Sequence, residues 1–141
     1  MLKSNISTRP ACLPDKYQGQ DLASLLTSPA PVVVGWGSTS SGGGSSNQLR
    51  QANVPMVTQQ TCSDAYSAIT RVTIGDTKIC AGDGTRDTCN GDSGGAMLAS
   101  HVGNTWAVVG VTSFGVDCAR PDFPGVYTRV DKYLTWIRQN M

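Results

Sequence analysis

The sequence predicts an all-β fold, a β-barrel followed by one C-terminal helix. Three observations carry that prediction. Charged residues make up 15% of the chain, below the ~25% of ordinary soluble domains, while Gly, Ser and Thr are plentiful. Short β-branched runs separated by turn signals recur from residue 32 onward. Only one stretch, near the C-terminus, has a clean helical period. At 141 residues the chain is long enough for one domain with a real core.

Taken in order, residues 1–31 read as a connector and residues 32–141 as the barrel with its helix. Ser7-Thr8-Arg9-Pro10-Ala11-Cys12-Leu13-Pro14 has two prolines that exclude regular structure, and Pro29-Ala30-Pro31 closes the segment. Val32-Val33-Val34-Gly35-Trp36-Gly37 reads as a strand ending at a backbone-tight spot. Residues 38–46 form a flexible Gly/Ser loop. Residues 49–57 alternate loosely and read as a strand. Residues 59–67 read as one or two helical turns, with Thr61 as the cap. Thr77-Lys78-Ile79-Cys80-Ala81-Gly82 is a short strand into a turn. Residues 97–100 and 106–114 form a strand pair around a Gly103-Asn104 turn. Val126-Tyr127-Thr128-Arg129-Val130 is a β-branched strand. Beyond it, Val130, Tyr133, Leu134 and Ile137 fall at i, i+3, i+4 and i+7, the spacing of an amphipathic helix.

Composition excludes several classes of function. A net charge of +1 attracts neither nucleic acid nor an acidic membrane surface. No apolar run approaches the ~20 residues that span a bilayer. Met1-Leu2-Lys3-Ser4-Asn5 lacks a signal peptide's apolar core. A secreted protein would need its signal upstream, so the chain is expected to begin mid-protein. The five cysteines, Cys12, Cys62, Cys80, Cys89 and Cys118, contain no CxxC pair. With a single histidine, they point away from zinc. Their wide spacing favours disulfides and an oxidising compartment. The odd count leaves one cysteine free or bonded to another chain. Asn5-Ile6-Ser7 fits a glycosylation sequon at Asn5, in agreement with secretion.

The chemistry concentrates in Asp87-Thr88-Cys89-Asn90-Gly91-Asp92-Ser93-Gly94-Gly95. Ser93 is the candidate nucleophile. Gly91 has no side chain, so its N–H and that of Ser93 can converge on a developing oxyanion. Gly94 and Gly95 let a substrate backbone approach closely. The bland alternative is a Gly/Asp/Ser surface turn. A serine hydroxyl needs a neighbouring histidine to take its proton. His101 is the sole histidine, eight residues beyond Ser93 and beside a turn signal. It reads as an exposed surface residue.

Gly91-Asp92-Ser93-Gly94-Gly95 resembles the segment around the nucleophile of the chymotrypsin-like serine proteases. The resemblance is strong from residue 32 to the C-terminus and weaker in the connector. It implies the C-terminal six-stranded antiparallel β-barrel of a trypsin-like double barrel, with a closing α-helix that is structural and bears Trp136 and Ile137. It implies peptide-bond cleavage through an acyl-enzyme on Ser93. The catalytic His and Asp would lie in an N-terminal half outside this chain, and the chain alone is expected to be nearly inactive. Met1-Leu2-Lys3 resembles the stretch just after the family's catalytic aspartate. By resemblance, Asp92 pairs with a new N-terminal amine made by activation cleavage. Asp87, six residues before Ser93, would floor a pocket for a substrate Arg or Lys. Ser113-Phe114-Gly115 resembles the strand that binds the substrate main chain, and Pro124-Gly125-Val126-Tyr127 the far wall. Bulk at Gly115 or Gly125 would close the slot.

The resemblance also implies the disulfides Cys62–Cys80 and Cys89–Cys118. It leaves Cys12 for a bond to a propeptide, light chain or N-terminal half. Trp36, between Gly35 and Gly37, is expected in core packing at a tight turn. No cofactor or metal is implied. The expected partners are a polypeptide with Arg or Lys at the cleaved position and a protein inhibitor, for a secreted, extracellular zymogen. Departures are few. Ala96 stands where proline is usual, and Asn90 and Phe114 replace commoner residues. Pro124 is linked in the family with absence of a sodium site. Asp117 replaces a usual glycine, and either narrows the pocket mouth or adds attraction for a cation. Two other classes of function remain. A non-catalytic or truncated protease-like module acting in partner binding is separated by whether the upstream sequence has the His and Asp. A secreted β-sandwich adhesion domain fails on the run from Asp87 to Gly95.

Overall fold

The computed structural model of the chain describes residues 10–14, 26, 29–67, 69, 72–101 and 105–141. The expected glycosylation site at Asn5, most of the connector and the turn at 103–104 lie outside the described residues.

Period-two alternation of apolar residues builds seven strands. They are β1 (Val32–Gly35), β2 (Arg50–Asn53), β3 (Met56–Val57), β4 (Lys78–Ala81), β5 (Ala96–His101), β6 (Thr105–Phe114) and β7 (Gly125–Arg129). All the strand pairs are antiparallel, in the order β2-β1-β5-β6-β7-β4-β3. The two end strands are consecutive in the chain, separated by Val54 and Pro55 alone. The sequence predicts one strand there, and the structure breaks it at proline, which has no N–H for a ladder. The Val54 N–H continues the pairing with the β1 side, donating to Pro31 O at 2.9 Å. Pro55 O continues the β4 side, accepting from the Gly82 N–H at 2.9 Å. One interrupted strand therefore joins both ends of the sheet and closes it into a barrel. Counted as one, it makes the six strands expected.

The two faces of the sheet serve two clusters. Ile79, Ala81, Met97, Ala99, Ala107, Val109 and Tyr127 point inward with Val33 and Val54. The residue between Ile79 and Ala81, Cys80, points outward with Val126. Register agrees, since Ile79 pairs with Tyr127 and Cys80 with Val126. The outer cluster is covered by α1 (Gln59–Ser67), which buries Cys62 and Tyr66, one turn apart. The Cys62–Cys80 disulfide clamps this helix to the outer face of β4. Thr58, not Thr61, caps α1, because its Oγ1 accepts the Thr61 N–H at 3.2 Å.

One further expectation is corrected, and the expected C-terminal helix is present but short. Trp36 is 59% exposed and packs in no core, because the flanking glycines turn its backbone toward the Asp92 carboxylate instead. The amphipathic C-terminal segment starts as a 3-10 turn (Val130–Tyr133) and continues as a short helix, α2 (Leu134–Gln139). Of its apolar stripe Val130 is buried, Leu134 and Ile137 are half-buried and Tyr133 is exposed, while Trp136, off the stripe, is 63% exposed. The Gly/Ser loop is also more tied than expected. Ser38 Oγ donates to Gly43 O at 2.8 Å, and the Ser46 N–H to Trp36 O at 2.9 Å.

Cys12 lies beside β6. Its N–H donates to Trp106 O at 2.8 Å, and its carbonyl accepts the Val108 N–H at 3.0 Å. The connector thus supplies a parallel bridge along the part of β6 that β7 does not reach.

Met97 is fully buried and faces Gly110, where an added Cβ would come within 3.2 Å of the Met97 Cβ. Met97→Ala is expected to destabilise the protein by about 2–5 kcal/mol. Leu49→Ala, at a position 57% exposed, is expected to stay within about 0.5 kcal/mol. Denaturant midpoints of the two variants check this.

Candidate active site

The loop between β4 and β5 carries the candidate residues. Its first half is folded by Asp83. This carboxylate accepts the N–H groups of Thr85 (3.0 Å) and Arg86 (2.8 Å), the Thr85 hydroxyl (2.6 Å) and Arg86 Nε (2.9 Å). Those bonds, Thr85's first and then Arg86's, hold its pKa well below the usual carboxylate range. The positive φ of Gly84 (+81°) permits the turn.

The turn delivers Asp87 into a half-buried position. Asp87 Oδ1 accepts the Thr88 N–H at 2.7 Å, and Oδ2 accepts the Ala119 N–H at 3.0 Å. Burial raises its pKa, and the bonds from Ala119 and Thr88 oppose that rise. An added Cβ on Gly125 would fall 2.5 Å from Asp87 Oδ1. One on Gly115 would sit 4.0 Å from the Gly125 Cα and 3.4 Å from Asp117 O. Both glycines therefore keep a slot open above Asp87. Tyr127 OH and Thr88 Oγ1 lie 3.1 Å apart behind it. The Cys89–Cys118 disulfide ties the loop to the opposite wall.

Ser93 is exposed at the lip of the same space. A cavity of about 260 Å³ is lined by Asp87, Asn90, Ser93, Thr112, Ser113, Phe114, Gly115, Asp117 and Gly125, among others. Ser113 reaches it through a bulge. Thr112 pairs with Tyr127 and Phe114 with Val126, so Ser113 is the extra residue. Around Ser93 the amide groups alternate in their engagement. The N–H groups of Asp92, Gly94 and Gly95 donate to Cys89 O, Thr112 O and Asp92 O at 2.8–3.0 Å. Among the described residues, those of Gly91 and Ser93 have no acceptor. Gly91 has φ +97°, which a side chain rarely tolerates.

Asp92 points the other way, away from the Ser93 cavity. Its Oδ1 accepts the Gly37 N–H at 2.8 Å and its Oδ2 the Cys89 N–H at 3.0 Å. An added Cβ on Gly35 or Gly37 would collide with this carboxylate. A second cavity, about 270 Å³, opens beside Asp92 and is lined by Gly35, Gly37, Cys89 and Asp87, among others.

Sequence reasoning misses several residues here. The Tyr66 hydroxyl donates to Pro124 O at 2.7 Å, and its ring meets Phe114 edge-on at 5.6 Å. It props both walls of the slot from α1, and no local signal marks it. Thr88, Ala119 and Asp83 carry no such signal either. The Gly-Trp-Gly run reads as backbone-tight, yet the group against it, Asp92, is 55 residues away. His101 ends β5, roughly 17 Å along the strand from Ala96. Among the described residues, no group of three or more His, Cys, Asp or Glu is placed to hold a metal ion. No helix of the described residues is long and apolar enough to cross a membrane.

A family model described as Trypsin matches residues 1–137. The chain is 45% identical to Trypsin-1 of Astacus astacus over 111 residues, 77% of this chain and 45% of that protein. It is 40% identical to the proclotting enzyme of Tachypleus tridentatus over 136 residues, 94% of this chain and 35% of that one. It is 42% identical to serine protease snk of Drosophila melanogaster over 144 residues, 98% of this chain and 32% of that one. The chain thus spans less than half the length of these relatives. A match along almost its whole length, over a closed β-barrel of the kind the Ser93 motif called for, means that the chain belongs to the trypsin family of chymotrypsin-like serine proteases.

Proposed function

We propose that this chain is the nucleophile-bearing barrel of a secreted endopeptidase that cleaves polypeptides after Arg or Lys. The observation that carries the proposal is the single cavity lined by both Ser93 and Asp87, with glycines on two walls. A substrate Arg or Lys enters between Gly115 and Gly125 and pairs with Asp87. Its main chain lies along Ser113, Phe114 and Gly115. Ser93 Oγ then attacks the carbonyl carbon, and the carbonyl oxygen becomes an oxyanion held by the Gly91 and Ser93 N–H groups. The proton of Ser93 passes to a histidine, oriented by an aspartate, in a preceding half of the protein. The histidine hands that proton to the leaving amine as the C–N bond breaks; water then attacks the acyl group, gives its proton to the histidine, and Ser93 Oγ leaves with that proton.

Asp92 takes the new N-terminal amine of the activated enzyme in the cavity beside it. That would make the protein a zymogen before cleavage. Cys12, half-buried and unbonded within the described residues, joins the light chain or N-terminal half. Asn5 carries a glycan, and a protein inhibitor is a further partner of the Ser93 cavity. Residues 1–31 connect the two halves.

The test is turnover of arginine, lysine and phenylalanine peptide amides by the full-length activated protein. Ser93→Ala is expected to lower kcat by roughly 10⁴–10⁶-fold. Unchanged turnover in that variant would sink the catalytic reading and favour a partner-binding module. Asp87→Asn should cost roughly 10²- to 10⁴-fold in kcat/KM on arginine amides, the size of unpairing one partner of a buried ion pair (about 3–5 kcal/mol), with little effect on phenylalanine amides. The raised pKa of Asp87 sets a pH dependence. Burial favours the neutral acid, and the neutral acid cannot pair with a cation. KM for arginine substrates is therefore expected to rise as pH falls, starting at a higher pH than an ordinary carboxylate would give. A KM profile flat across the acid range counts against Asp87 as the floor.

A further inference from the structure

The cavity above Asp87 has a second carboxylate, Asp117, with no part in the catalytic steps. Asp87 and Asp117 are the charged groups of its lining, and no Lys, Arg or His joins them among the described residues. That is a concentrated negative site in a chain of net charge +1. The two acids sit differently. Asp87 is half-buried at the floor, whereas Asp117 is exposed at the rim.

Asp117 is held there. Its φ is +66°, a backbone conformation that side chains rarely adopt. The next residue, Cys118, is fixed by its disulfide to Cys89, and Ala119 by its bond to Asp87. Ser41, 76 residues away in the Gly/Ser loop, donates its hydroxyl to Asp117 Oδ1. That bond, with a smaller one from the Cys118 N–H, keeps the Asp117 pKa below the usual carboxylate range. The charge of Arg120 also lowers the Asp117 pKa, less than those bonds do, but Arg120 makes no ion pair with it. Arg120 reaches Asp122 at 4.0 Å and lies 5.0 Å over the Phe123 ring. Among the described residues no ion pair neutralises Asp117.

One substrate cation cannot serve both acids. The cation that reaches Asp87 is spent on a half-buried partner, and Asp117 stays charged at the rim. Between narrowing the mouth and attracting a cation, the tether to Ser41 favours the second. We propose that Asp117 is a specificity-determining residue of this site. It favours polypeptides with a second basic residue beside the one that enters the slot, and Ser41 positions its carboxylate. This inference rests on the reading of Asp87 as the slot's floor.

The test uses the full-length activated protein and matched peptides that differ only in Lys or Gln beside the cleaved Arg, on either flank. The wild type is expected to prefer Lys by about 1.5- to five-fold in kcat/KM, the range of an exposed charge pair. Asp117→Asn should bring that ratio to about one, and Ser41→Ala should lower it part-way. Raising salt from about 0.05 to about 0.5 M should collapse the preference in the wild type, a measurement that needs no variant. An unchanged ratio in Asp117→Asn, or a preference insensitive to salt, overturns the proposal and leaves the role of Asp87 standing. Cleavage after Arg that survives Asp87→Asn undiminished overturns the reading beneath it, and this proposal with it.

Discussion

The Asp92 carboxylate bridges two amides, Gly37 N–H at the end of β1 and Cys89 N–H at the start of the Ser93 loop. Much of the candidate site depends on that bridge. It fixes the loop against the barrel through hydrogen bonds to a charged acceptor, roughly twice as strong as neutral ones. It also explains why the chain has glycine at both 35 and 37, where any Cβ would meet the carboxylate. With residue 92 turned toward β1, residue 93 faces the opposite side, toward the slot. The neighbouring amides of 92, 94 and 95 are consumed in the fold, and among the described residues those of 91 and 93 meet no acceptor.

Much of this architecture is legible in the sequence because the information is local. Most of the strands, the Gly-rich segment around Ser93 and the glycines at 115 and 125 are each marked within a few adjacent residues. The illegible part is set by contacts across long separations. Trp36 reads as core by its size, but the barrel turns it outward once Asp92 occupies the inner side of its flanking glycines. Tyr66 looks like one more residue of a short helix, and its hydroxyl contact lies 58 positions away. The C-terminal stripe has the right period, yet period alone cannot say how deeply each of its residues packs. The cap of α1 falls one turn earlier than the sequence suggests, since Thr58 and Thr61 are equally good caps in isolation.

The two halves of the loop between β4 and β5 use carboxylates in contrasting ways. Asp83 is exposed and crowded with donors, and serves to shape backbone. Asp87 has two amide donors and is partly withdrawn from water. Withdrawal makes a carboxylate costly to keep charged, and makes an arriving cation correspondingly welcome. The same loop thus spends one acid on rigidity and holds another in reserve.

The broken strand at 50–57 has a consequence for how the protein behaves in a crowded solution. In an open sheet, the outermost strands expose a row of unpaired amides and carbonyls, a template on which other chains can add. Here the outermost strands are two pieces of one stretch, each turned toward its own neighbour. Pro55 removes a donor at the point where the pieces part. Among the described strands, the sheet offers no long free margin, so edge-to-edge self-association has little to start from.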